Sequence, residues 1–390
     1  MPSDSNKVSV FYAKEDAWGE TPDLGSALQE LGCSSAAIKP ENVFEESAEI
    51  RADSQLANDT KVGEEVTATI ATQLSMRALN DFFPAVLGAA DWTTVSPGAI
   101  TCAIATSGQT LTASAGLSVF ASARYIKVAG AATTANNGLK KIVSVTDTVI
   151  TCAAGSFTAI EASPSLTITA KYVQVGTVLQ GFLLEEKFDS MNAGSNIFKY
   201  ATGQSVNRIA LDIQPKSIVK ATIDFMGKTG GYSATTMGDG SPLSKTGLPH
   251  ITTNANVGTI YWGGTALPAT IPIQSLPLQI TRNLRVRPAL GQQNTLEFGL
   301  NQFDFTGNMN SYFLNDDLVQ DMVASTKRAL EFYLNDSAGK LLNFYSPLVL
   351  LKRNGHPDPT AKNTDVMAGF EFRGLGSDAL KALQIDYLEA

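Results

Sequence analysis

Histidine is nearly missing from this chain: His250 and His356 are the only two in 390 residues. Both stand in proline-flanked loop sequence, LPHI and NGHPDP, with no ligand-type partner at helical or hairpin spacing. A histidine-based metal centre is therefore not expected, nor any other metal or cofactor site. Cysteine is almost as scarce. Cys33, Cys102 and Cys152 form no CxxC pair and no metal-ligand spacing. Cys102 and Cys152 end two similar strand-like runs, AITC and VITC. A disulfide between them is conceivable, but two small buried apolar side chains suit a chain made in a reducing compartment better. Charge is sparse too, at 17% of residues with a net of −8, and no basic footprint suited to nucleic-acid phosphates is present. No apolar run reaches the length that spans a bilayer. The first residues, MPSDSNKVSVFYAKEDAWG, lack the basic-then-apolar order of a secretory signal, so the expectation is a soluble protein made in the cytosol.

Catalytic signatures are also lacking. There is no GxSxG elbow for a nucleophilic serine. GKTGG at 227–231 has the flavour of a phosphate loop, but Thr222 stands where that loop needs glycine, and the preceding run reads as a strand. GDGS at 238–241 holds one aspartate, too few for a calcium repeat.

What the chain does have is β patterning and an uneven charge. Its length points to two domains, or to one domain with a large insertion. Residues 1–91 carry 16 acids against 6 bases, whereas 92–176 carry 2 acids against 5 bases. This shift marks 92–176 as a separate unit. It is rich in Ala, Thr, Ser, Gly and Val, with short β-prone runs (AITCAIA, YIKVAG, KKIVSV, VITCAA, LTITAKYVQV) and an Asn136-Asn137-Gly138 hairpin signal. About seven short strands in that span predict a small sandwich of immunoglobulin-like size.

Around it, residues 1–62 read as an extended acidic arm with short strands. Residues 64–74 read as a strand burying Val66, Ala68, Ile70 and Thr72, and a helix is expected from Ser75 until Pro84 ends or kinks it. RIALDIQ and KATIDFMG alternate cleanly, placing Arg208, Ala210, Asp212, Lys220, Thr222 and Asp224 on a wet face. Residues 228–265 read as a long loop. Strands are expected at 278–287, 295–306, 327–335, 340–351, 366–374 and 381–388. The one convincing helix is at about 314–325, capped by Asn315 and burying Leu318, Val319, Met322 and Val323. The fold class is mainly β, with one flanking helix.

The densest acidic cluster is LLEEKFDS, 183–190. On a strand Glu185 and Glu186 point to opposite faces, so they cannot share a proton or flank one bond. Glu185, Lys187 and Asp189 are assigned to a polar face. Glu186 intrudes among Phe182, Leu184 and Phe188, so it should pair with Arg208 or Arg285 or meet another subunit.

The order of these segments resembles the major tail tube proteins of long-tailed (siphovirus) bacteriophages. EDAWGETPD is similar to that family's E-x-x-x-G-x-x-P opening, and FEESAEIRADSQLANDTKVGEEVTATIATQLS to its acidic S-x-E-I-R-x-D-x-Q segment and following strand. FLLEEKFDS with FKYATGQSVNRIALDI resembles its strand pair carrying E-x-x-F and G-x-x-V-N. The run from LQITRNLRVRPALG to NQFDFTGNMNSYFLNDDLVQ resembles the strands leading into its single helix. Ser54 departs from the pattern, where the family often has a second arginine.

The resemblance implies two packed antiparallel sheets with a flanking helix, hexameric rings stacked into a tube, and neighbouring inner strands closing a lumen barrel. It implies a structural, non-enzymatic role as a conduit for viral DNA, which would pass without specific binding. The implied partners are the chain itself, the tape measure, the tail terminator and the distal tail protein. An acid-biased chain suits such a lumen, and the polar face of Glu185, Lys187 and Asp189 is the candidate for its surface. The arm and the 228–265 loop would bridge rings, and the 92–176 segment would decorate the outside. A β-sandwich surface or receptor-binding module, or a carbohydrate-active enzyme on such a sandwich, are the alternative readings.

Overall fold

The structure is a computed structural model. It describes residues 7–389 other than 21–26, 49–51, 53–57, 163, 193–194, 239–241, 246, 248, 268–270, 353–355, 358–361 and 363–364. Ser54 and most of the GDGS stretch lie outside the described residues.

Alternating strands build one broad antiparallel sheet. It runs through Ser35–Glu46, Asp59–Gln73, Lys220–Gly227, the second half of Ser195–Asp212, Leu278–Thr281, Asp304–Tyr312, Met367–Leu375 and the end of Leu341–Leu351. Ser195–Asp212 is 18 residues long and serves two sheets. Its first half pairs with Phe182–Asn192 and Thr229–Ser233, and beyond Phe182–Asn192 lie Val8–Lys14 and Gln29–Leu31. Pairing with the second sheet ends at Gln204 and pairing with Lys220–Gly227 starts at Ser205, with a register slip following between Val206 and Arg208.

The expectation of an extended arm over 1–62 is thus corrected at its start. Val10 and Tyr12 alternate into the main core, so Val8–Lys14 is an internal part of the fold. The face opposite the broad sheet's wet side supplies that core, with Val66, Ala68, Ile70, Ile209, Leu211, Ile223 and Phe225 all buried. Phe82 anchors it, its ring centroid 4.8 Å from Tyr12, 5.2 Å from Phe182 and 5.6 Å from Phe225. Offset and edge contacts of this kind add to the burial of the rings themselves.

Phe82 belongs to the helix α1, Phe82–Leu87, all six residues of which are buried. Here Pro84 begins a helix rather than ending one. Proline has no N–H to offer, and the first turn of a helix does not need it; residues 76–81 are turns instead. Gly88 closes α1 in the left-handed conformation (φ 73°), and the buried Arg282 guanidinium donates to the carbonyls of Leu87 and of Gly176, 2.7 Å for the latter. The second helix, α2, is Asp317–Val323, shorter than expected. Leu318 and Met322 face inward as read, but Val323 is exposed. Asp321 is buried because the Trp262 indole (2.8 Å) and the Arg328 guanidinium (2.5 Å) both donate to it.

Two of the expected strands are interrupted. The 278–287 run breaks at Asn283, which has a positive φ of 54°, and the 295–306 run breaks after Leu300. Leu284–Arg287 and Glu297–Leu300 consequently leave the broad sheet and pair with each other as a separate hairpin.

Residues 99–170 hold a hydrophobic core of their own, centred on Leu111, Phe120, Ile126, Val128, Ile150, Leu166 and Ile168. Cys102 and Cys152 are free thiols buried in it, and burial pushes Cys152 up to about 12. Asn136 does not sit in a tight two-residue turn. It is fully buried in a longer connection, donating to Ala159 O and Glu161 while accepting from Thr158 N–H.

This segment and the rest share one strand. Ser165–Gln174 pairs through its first half with Ala99–Thr101 and Tyr125–Ala129, and through its second half with Gln384–Leu388. A buried polar clasp reinforces the join. Arg124 (3.2 Å) and Lys141 (2.9 Å) both pair with Glu331, and Asp386 accepts from Arg124 N–H and the Asn343 amide, each at 3.1 Å.

Candidate functional site: an open polar sheet face and a projecting hairpin

The LLEEKFDS strand splits its glutamates as geometry requires, but neither is exposed. Glu185 is 1% accessible. Its side shares a small apolar cluster of Phe11, Ala13, Leu28 and Leu183, so the face read as polar is partly core. The carboxylate accepts from the Thr236 hydroxyl (2.8 Å) and Met237 N–H (2.7 Å), both from the 228–265 stretch. Burial pushes its pKa up, against the lowering effect of those donors and of Lys187. Its assignment to an open surface is therefore corrected. Lys187 and Asp189 are half-exposed and pair with each other at 2.7 Å.

Glu186 pairs neither with Arg208 nor with Arg285. Its partner is Lys199, directly across the hairpin at 2.5 Å, and it also accepts from Ile38 N–H. Arg208 pairs with Asp224, and Arg285 is exposed on the 284–300 hairpin.

Two fragments of the opening motifs come together in space. The Glu15 carboxylate accepts from Gly19 N–H and from Gly203 N–H, each at 2.7 Å, while the Trp18 indole donates to Gly203 O. The E-x-x-x-G spacing is a turn closed by its own carboxylate, docked on the glycine of GQSVN. Both Gly19 (φ 74°) and Gly203 (φ 64°) are left-handed, and a Cβ on either would strike Lys228. The asparagine of that motif, Asn207, accepts from Leu284 N–H at 2.8 Å, fixing the base of the 284–300 hairpin.

Away from this cluster, the broad sheet presents one polar face to solvent. Cross-strand register sorts it into rungs. Thr69, Asp224, Arg208, Thr281 and Asp304 form one, and Ala71, Thr222, Ala210, Gln279, Thr306 and Arg373 form the next. Lys220 opposes Asp212, and Asn308 opposes Glu371. The alternation of RIALDIQ and KATIDFMG had marked two strands of this face; the contributions of Asp304 and Arg373 depend on long-range pairing.

Next to that face the Ser35–Glu46 and Asp59–Gln73 strands run on beyond the core. Every residue of Glu41–Glu46 is exposed, with Phe44 at 55%. Among the described residues Ser35–Glu46 pairs with a strand on one side only, and it carries Pro40, as suits a sheet edge. The hairpin is braced where the Glu64 carboxylate accepts from the Thr229 hydroxyl and Gly230 N–H, and where Glu64 N–H donates to Gln293 O. The 228–265 stretch is not a free arm throughout. Ile251 is buried and exchanges backbone bonds with Leu74 and Val219.

No helix among the described residues is long and apolar enough to cross a membrane. The profile of a protein family described as phage tail tube protein matches residues 5–374. No curated protein matches the chain.

Proposed function

This chain belongs to the phage tail tube protein family, and from that premise we propose how its parts build a tail. As a family member it is a structural protein of the virion tail that assembles with itself and with other tail proteins. Our finer reading is that it forms hexameric rings stacked into the tube of a siphovirus tail, conducting DNA from capsid to host, with assembly in the bacterial cytoplasm. Its further partners in that reading are the tape measure, tail terminator and distal tail proteins.

The observation that carries this reading is the open polar face ending in a 12-residue strand that, among the described residues, is paired on one side only. A long unpaired edge is a template for another chain's strand, and closing a ring of copies removes it. In our reading that face lines the lumen, in place of the Glu185 strand. The acidic hairpin at 41–65 reaches the next ring. Arg285, exposed, stays a candidate for a subunit contact, whereas Glu186 and Arg208 are satisfied inside the chain. The separate core of 99–170 supports reading 92–176 as an inserted, immunoglobulin-like unit facing outward.

Negative-stain electron microscopy of the purified chain tests the assembly. Tubes or six-fold rings are expected, and monomers that never self-associate overturn it.

A further inference from the structure

The open face holds two arginines, each ion-paired with an aspartate through one nitrogen. Arg208 Nε donates to Asp224 Oδ2 at 2.6 Å from the adjacent strand. The other oxygen of Asp224 accepts from the Thr69 hydroxyl at 2.9 Å, from the strand on its far side. The second pair repeats the plan. Arg373 is ion-paired with Asp304, whose other oxygen accepts from the Asn283 amide at 3.2 Å. In both cases a neutral donor holds the carboxylate so that it faces its arginine.

This matters because a guanidinium is a planar fork suited to phosphate oxygens, and two bare arginines on one wall would be two anchoring points for a polyanion. Strands lie about 4.8 Å apart, so plus and minus alternate across the face at a spacing well inside the Debye length of about 8 Å. The fields of each pair cancel within a short distance of the wall. A face of this kind repels DNA weakly and holds it weakly, which a uniformly acidic wall does not achieve.

We infer that Asp224 and Asp304 determine the non-binding character of this face by pairing with and neutralising Arg208 and Arg373, so that duplex DNA can pass without being held. The inference rests on the reading that this face meets DNA.

The test uses the full chain before assembly and a fluorescent 30-base-pair duplex, followed by anisotropy across a salt series. The folded state of each variant is checked by circular dichroism. The unaltered chain is expected to bind negligibly. Asp224→Asn with Asp304→Asn should raise affinity at least about tenfold at low salt. The slope of log affinity against log salt should steepen by about two, one for each phosphate that a freed arginine neutralises. Adding Arg208→Gln and Arg373→Gln should abolish the gain, and Glu45→Gln with Glu46→Gln, the same charge change on the hairpin, should produce none. Each single aspartate variant should steepen the slope by about one, which keeps the test decisive should the double variant not fold.

A folded aspartate variant that binds no better, or a hairpin variant that binds equally well, overturns the inference. Placement of the face is read separately. Thr281→Cys in a Cys33→Ser background should resist, in assembled tubes, a maleimide carried on a protein too large for the bore. Labelling there, with the DNA result intact, would remove the face from the lumen and leave the role of the aspartates standing.

Discussion

At the scale of single residues, Glu186 and Asp386 carry the most. Glu186 is 3% exposed and its salt bridge to Lys199 is internal, so Glu186→Ala strands a largely buried ammonium and the Ile38 N–H. Breaking such a pair costs about 3 kcal/mol or more, and the loss should appear as a lowered urea midpoint of the unassembled chain. An unchanged midpoint with failed assembly would return Glu186 to a subunit contact. Asp386 is fully buried, and burial pushes its pKa up to about 6, opposed by Arg124 N–H, Asn343, Gln384 and the Arg124 charge. A carboxyl raised this way binds its proton more tightly when folded. Its contribution to stability is complete below about pH 4 and is lost as pH rises through about 6, an effect on the order of 3 kcal/mol. Asp386→Asn should flatten the thermal-stability profile across that window; a profile that keeps its slope would assign the slope to other groups. The splitting of Glu185 from Glu186 was legible because strand alternation is local. The partner of Glu186 was not within reach, because counting back from the Asn192–Ser195 pair sets Ala201 opposite it, and only the register shift between Phe188 and Asn192 brings Lys199 there. Nor was the sealing of Glu185 by Thr236 and Met237, because a contact across 51 residues leaves no local trace.

At the scale of elements, regular alternation was readable and punctuation was not. The 327–335, 340–351 and 366–374 strands were placed closely, whereas Pro84 and Asn283 were misread because each has two structural uses and tertiary packing selects between them. The strand Ser165–Gln174 teaches the same lesson. Composition put a boundary at 176, yet its second half pairs with Gln384–Leu388 and Val173 lies in the main core. Deleting 92–176 should therefore damage the body. Replacing only 97–168 with Asn-Gly spares this half-strand and its neighbour Thr93–Val95, since Val95 and Ala170 are already paired. The shorter deletion is expected to melt at least about 5 °C above the longer one in a thermal scan. Equal melting temperatures would show that the half-strand contributes little to the body.

At the scale of the whole molecule, the same shorter deletion tests the outward placement of 92–176. Under the microscope it should still give tubes, with a smaller outer diameter. Loss of tubes from a folded variant would place the segment in the wall. Overall charge was legible from composition but its use was not. Glu41, Glu45, Glu46, Asp59, Glu64 and Glu65 lie on the projecting hairpin, while on the broad face Arg208 pairs with Asp224 and Arg373 with Asp304, contacts that only the long-range strand pairing brings about.

The 18-residue strand Ser195–Asp212 has a mechanical consequence. A tail is pulled, bent and twisted as it engages a cell, and a wall of separately laced sheets could slide apart along their seam. Because one continuous run of backbone belongs to both sheets, load reaching either is carried across the seam by covalent bonds, with hydrogen-bond ladders sharing it on each side.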